Sequence, residues 1–164
     1  MSIVLHARAA LITAAAVALL VAGLPAGASA EDWVPPPGSS ADFTARMWKA
    51  FEAQDYDNAL QIIDQCVAQH GATAAKLEAG LTAPPPANEA KDVTAARGPL
   101  NDVGVCLLTK GDILLKKGDT AGAKAAYTKV LTDYAYARCW DPKGWFWAPA
   151  DAAKKKLAGM GVDE

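Results

Sequence analysis

Histidine is scarce in this chain: there are two in 164 residues, and only His70 lies beyond the first thirty positions. One imidazole leaves little from which to build a Ser–His–Asp order or a histidine proton relay. Cysteine is almost as sparse, with Cys66, Cys106 and Cys139 and no C-x-x-C spacing. Cys66 and His70 stand four apart on one helix face, but the usual ligand spacings and a second histidine are missing, so no metal and no cofactor is expected. An excess of positive charge is also lacking. Of 16 basic residues only Arg8 falls in the first thirty positions, which leaves 15 against 18 acidic ones and a net charge of −3. A mildly acidic chain without a basic stripe argues against nucleic acid as a partner.

One long hydrophobic run is present, and it is short for a membrane span. Residues 1–30 open with His6 and Arg8, continue through an apolar run from Ala9 to Leu24, and end in Ala28-Ser29-Ala30. This is the pattern of a secretory signal peptide cleaved after Ala30. A retained anchor is the alternative, disfavoured by the short run and the small-residue site. The expected protein is therefore periplasmic or secreted, with no membrane span after cleavage. In an exported chain three cysteines allow one disulfide and leave one thiol over.

The remainder reads as one domain. Residues 31–40 (EDWVPPPGSS) carry three consecutive prolines and predict an extended leader. A helix capped by Ser39 or Ser40 is expected to run to about Ala53, with Phe43, Met47, Ala50 and Phe51 on one face. A second helix, capped by Asp57, carries Ala59, Leu60, Ile63, Cys66 and Val67 and stops at His70-Gly71. Residues 72–98 are alanine-rich and broken by Pro84-Pro85-Pro86, which predicts a short helix before the prolines and a weaker one from Asn88 to Ala96.

The stretch from Gly98 to Tyr134 organises the rest. Leu100, Val103, Val105, Leu107, Leu108, Ile113, Leu114 and Leu115 make its first helix apolar almost all round, the mark of a buried helix. After Lys117-Gly118-Asp119, an amphipathic partner carries Ala123, Ala126, Tyr127, Val130, Leu131 and Tyr134. The chain then reads CWDPKGWFWAP: a turn at 141–144, an aromatic run, and a last amphipathic helix with Asp151 at its start and Ala153, Leu157 and Met160 facing inward.

The turns Gln54–Ala59 (QDYDNA) and Gly118–Ala123 (GDTAGA) resemble the helix A/helix B junction of tetratricopeptide repeats. In the second unit Leu107, Gly111, Leu114, Ala123 and Tyr127 match the repeat pattern. In the first, Phe43, Tyr56 and Ala59 match, while Met47 stands where a small residue belongs. Ala59 and Ala123 are 64 positions apart against a repeat period of about 34, so residues 72–98 read as an insertion. The resemblance implies an all-α fold of antiparallel helical hairpins: two degenerate repeat-like units (41–71 and 99–134) and a Trp-rich C-terminal cap (139–160), with no β-sheet. It implies a close contact between Gly111 and Ala123. It also implies a protein- or peptide-binding concave face, here Thr44, Trp48, Leu108, Asp112 and Lys116. Neighbouring helix ends in such a stack make Cys66–Cys106 the expected disulfide, with Cys106–Cys139 as the competing pairing.

The tail WDPKGWFW, with the segments before it, is also similar to small exported bacterial proteins labelled beta-glucanase precursor. The E-x-D-x-x-E motif of known beta-glucanases is missing here, and the paired Asp55 and Asp57 are explained by helix capping. A non-enzymatic role is expected: an exported module binding a protein partner. The rival roles are glucan or cell-wall binding through Trp140, Trp145 and Trp147, whose rings offer flat amphipathic area, and a structural subunit of an envelope complex. The same tryptophans are also expected to plug the open end of the helix stack.

Overall fold

The computed structural model describes residues 34–161, apart from Ala87 and Pro142. The proposed signal peptide and the first residues of the leader lie outside that range. The described residues form six helices and one small sheet: α1 (Ser40–Glu52), α2 (Tyr56–Ala79), α3 (Lys91–Ala95), α4 (Gly98–Lys116), α5 (Thr120–Asp133), β1 (Cys139–Asp141), β2 (Trp145–Trp147) and α6 (Pro149–Gly159). The fold is thus mainly helical, as expected. The expected absence of any β-sheet is corrected by the β1–β2 hairpin. Among the described residues no helix is long and apolar enough to cross a membrane.

The first helix starts where its cap dictates: the Ser39 hydroxyl accepts from the Asp42 amide at 3.2 Å. Its far end and the α4–α5 turn are built alike. Gln54 and Gly118 both adopt a left-handed backbone, with φ of 59° and 83°. Asp55 N donates to Ala50 O, and Asp119 N donates to Leu114 O, each at 2.9 Å. Asp55 and Asp119 then cap the next helix on the amides of Asn58 and Gly122. Each turn is a helix stop with a left-handed residue, followed at once by a helix start. Glycine suits that φ, whereas Gln54 holds it at some cost in strain. Asp55, rather than the expected Asp57, is the cap of α2. Asp57 instead pairs with Lys117 at 2.7 Å, which links the two turns.

The expected stop at Gly71 is also corrected. Helix α2 runs on to Ala79, absorbing the short helix anticipated before the prolines. An internal glycine costs a helix only about 1 kcal/mol, and the Ala-rich sequence beyond it favours continuation. Tertiary contacts hold the extension: Ala74 is fully buried, and Glu78 accepts the Tyr136 amide at 3.1 Å. The weaker helix shrinks to α3, Lys91–Ala95.

At the centre lies α4, packed against α1, α2, α5 and α6. Leu100, Val103, Val105, Leu107, Leu108 and Ile113 are buried on it, but Leu115 is 39% exposed near its end. The side chain nearest to Gly111 is that of Tyr127. A Cβ on Gly111 would stand 2.3 Å from Cε1 of Tyr127, so it is the tyrosine ring that lies on the glycine. Ala123 is also fully buried. The Tyr127 hydroxyl donates to Asp112 at 2.6 Å, and Lys156 of α6 reaches the same carboxylate oxygen at 2.7 Å. Asp112 thereby ties α4, α5 and α6 together.

Candidate ligand cleft at the aromatic hairpin

The hairpin pairs Cys139 with Trp147, Trp140 with Phe146 and Asp141 with Trp145. Aromatic side chains favour strands, and cross-strand aromatic pairs stabilise short ones. The turn closes on Gly144, at φ 111°, whose amide donates to Asp141 O at 2.9 Å. Since side chains alternate between faces, Trp140 and Phe146 share one face, and Trp145 and Trp147 the other. Trp140 and Phe146 meet edge to face with ring centroids 4.8 Å apart. Trp147 packs onto the hydrophobic core, while Trp145 is 50% exposed.

Two cations cover the Trp140–Phe146 face. The Lys91 ammonium lies 3.9 Å from the Trp140 ring centroid, and the Arg138 guanidinium 5.6 Å from that of Phe146. Asn101 on α4 holds these elements in place. Its side-chain amide donates to Thr94 O on α3 at 3.0 Å, and its side-chain oxygen accepts the Arg138 amide at 2.9 Å. Arg138 Nη1 donates to Pro85 O at 2.9 Å, so the proline-broken segment is tied to the hairpin. The Nε atoms of Arg97 and Arg138 are buried without a protein partner.

Glu89 pairs with Arg97 and accepts from Thr94 at 2.8 Å. Burial pushes against its ionisation, yet Arg97, Thr94 and the nearby Arg138 charge hold its carboxyl below the usual value. Its charge is therefore neutralised locally, which leaves Lys91 and Arg138 to set the sign of the cleft. That cleft is open, about 580 Å³, and lined by Glu89, Lys91, Arg138, Trp140, Trp145 and Phe146 among others.

A neighbouring hollow of about 520 Å³ shares Lys91, Arg138 and Trp140 and reaches Ser40, Asp102 and Cys139. This grouping does not make a nucleophile. The Ser40 hydroxyl donates straight to Asp102 at 2.6 Å, and His70 Nε2 lies against Gly38 O at 3.1 Å. Burial pushes the Cys139 thiol up to about 12, so it stays protonated and inert. Among the described residues no group of three or more His, Cys, Asp and Glu side chains could hold a metal ion.

Asp102 supplies a pH prediction. Burial raises its pKa above the usual 3.8, outweighing the opposing hydroxyls of Ser40 and Thr44 and the charge of His70. A raised carboxyl favours the folded state in its protonated form. That contribution is complete below 3.8 and is lost as pH rises through the folded-state pKa. Asp102→Asn keeps an acceptor for Ser40 and removes the buried charge. Thermal unfolding across pH is expected to show the variant more stable than the parent at pH 7, with the gap closing under acid conditions.

The sequence-predicted binding residues divide. Trp140 and Trp145 both line the cleft, while Trp147, which shares a face of the hairpin with Trp145, packs onto the core. Leu108 is buried, Asp112 is engaged by Tyr127 and Lys156, and Thr44 donates to Ser40 O at 3.1 Å. Lys116 is exposed at the end of α4, and Trp48 is 40% exposed with its ring edge-on to Phe51. Sequence reasoning missed Lys91 and Arg138. Arg138 adjoins the aromatic run and could have been suspected; no local signal marks Lys91. Compared with models of protein families, with curated proteins and with solved structures, the chain matches none.

Proposed function

We propose that this protein is an exported binding module, made of two degenerate tetratricopeptide-like units, that takes an acidic segment of a protein partner in the cell envelope into the α3–hairpin cleft. The observation that carries this reading is the Lys91 ammonium over Trp140, facing an open cleft with half of Trp145 exposed. Glu89 is already neutralised by Arg97, so the remaining lining charge is positive and complements carboxylates. The aromatic faces add contact area at low entropic cost. The repeat reading is supported by the matched Gln54 and Gly118 turns. A glycan ligand is the second reading, favoured by the exposed indole of Trp145.

Fluorescence titration of the tryptophans with a Glu- and Leu-containing acidic peptide, and in parallel with a glucan oligosaccharide, tests the proposal. The peptide is expected to bind, more weakly as salt rises. The Lys91→Glu, Trp145→Ala double variant should lose at least about tenfold in affinity with its melting temperature unchanged, since both side chains carry contact rather than folding energy. Saturable binding of the oligosaccharide alone would transfer the function to the second reading. No response to either would overturn the cleft as the site.

A further inference from the structure

We propose that Cys66 and Cys106 are a cysteine pair that closes into a disulfide while the chain folds and is sealed from exchange once α1 has docked. Both side chains are fully buried, on α2 and α4, two helices that pack directly on each other. In the structure both are thiols. Cys66 neighbours Cys106, and this neighbour together with burial pushes the Cys106 thiol far above the ordinary range. From α1, the Thr44 hydroxyl stands 4.0 Å from Cys106 Sγ, so α1 lies against the pair.

The third cysteine is held elsewhere. Cys139 Sγ lies 3.9 Å from Asn101 O. Asn101 precedes Cys106 by five residues on α4, which is about 7.5 Å along the axis and well around the helix. Cys139 therefore meets a different part of α4 from the one that carries Cys106.

The chemistry needs an oxidant that itself carries a disulfide, such as oxidised glutathione or an exchange protein. One thiolate attacks the oxidant's S–S bond, forming a mixed disulfide and releasing one thiolate. The second cysteine attacks the mixed disulfide, forming Cys66–Cys106 and releasing the other. Two cysteine thiols lose two protons and two electrons, and the oxidant becomes two thiols. The attacking species is the thiolate and must be reached by the oxidant. Burial in the folded core denies both conditions. Oxidation belongs to the folding chain, before α1 covers the α2–α4 contact.

The test uses the unmodified sequence. Reduced protein is refolded from denaturant in a mixture of reduced and oxidised glutathione, and free thiols are counted after unfolding and alkylation. One thiol per chain is expected, on Cys139, with a peptide joining Cys66 and Cys106. Protein first folded in the reduced form and then placed in the same mixture is expected to keep three thiols until denaturant is added. The oxidised form should melt about 10 °C above the reduced form. A bridge to Cys139, or three thiols after oxidative refolding, would overturn the pairing. Equally fast oxidation of the folded, reduced protein would overturn the seal. Cys139→Ser should form the same bridge, and its failure to do so would also count against the pairing.

Discussion

Gly111→Leu is expected to lower the stability of the domain by about 3 kcal/mol, although leucine is the better helix former by nearly 1 kcal/mol. The first added carbon would already stand 2.3 Å from Cε1, 2.6 Å from Cδ1 and 2.7 Å from Cζ of Tyr127. Tyr127 cannot easily retreat, being fully buried with its hydroxyl bound to Asp112. Rings in packed interiors have few alternative positions, so the strain passes to the α4–α5 spacing. Gly111→Ala should show a weaker form of the same effect, about 1–2 kcal/mol. Placing Gly111→Ala on a Tyr127→Leu background separates this account from a general intolerance of side chains at position 111. The two changes should then be clearly less than additive, because the ring that is struck has gone. Urea unfolding of the four proteins measures the coupling. Strict additivity would mean that Tyr127 is not what makes Gly111 necessary.

Trp147→Ala is expected to cost about 3 kcal/mol, whereas Trp145→Ala should stay within about 0.5 kcal/mol of the parent. Both residues lie on β2, two positions apart, and have the same chemistry. Trp147 faces Cys139 across the hairpin and packs on the core, so its truncation leaves a gap beneath the sheet. Trp145 pairs with Asp141 at the turn and is half exposed. A loss of about 3 kcal/mol is a large share of a margin of roughly 5–15 kcal/mol for a domain this size. Thermal unfolding of the two variants decides the matter. An unchanged melting temperature for Trp147→Ala would show that the hairpin stands without its anchor, and a large drop for Trp145→Ala would remove it from the binding surface.

Local chemistry made much of the helical framework legible. The Ser39 cap, the Phe43–Met47–Ala50 face and the apolar run of α4 mark their helices through interactions within a few residues. The turns at Gln54-Asp55 and Gly118-Asp119 could be aligned because capping and the left-handed stop are short-range devices. The end of α2 was not legible, because Gly71 and the alanines after it suit both a stop and a continuation. Glu78, 58 positions from the Tyr136 amide that it accepts, helps to select continuation. The small sheet was missed for a related reason. Three-residue strands have almost no periodicity of their own and exist through cross-strand pairs and the surface on which they lie.

The candidate site divides in the same way. Trp140 and Trp145 stand out in the sequence as unusual residues crowded together. Strand register puts Trp140 on one face and Trp145 and Trp147 on the other, and only the packing of the hairpin on the core separates the exposed Trp145 from the anchored Trp147. Lys91 enters the site from α3, across the whole α4–α5 pair in sequence, and Asn101 sets the relation of that helix to the hairpin. The amino-acid sequence by itself determined where most helices begin, which faces of them are apolar and which chemistries lack their residues, since each follows from neighbours along the chain. Only the tertiary structure decided that the Tyr127 ring lies on Gly111 and that a lysine and an arginine close over the aromatic hairpin. Those contacts join segments distant in sequence, and packing of the whole core selects them.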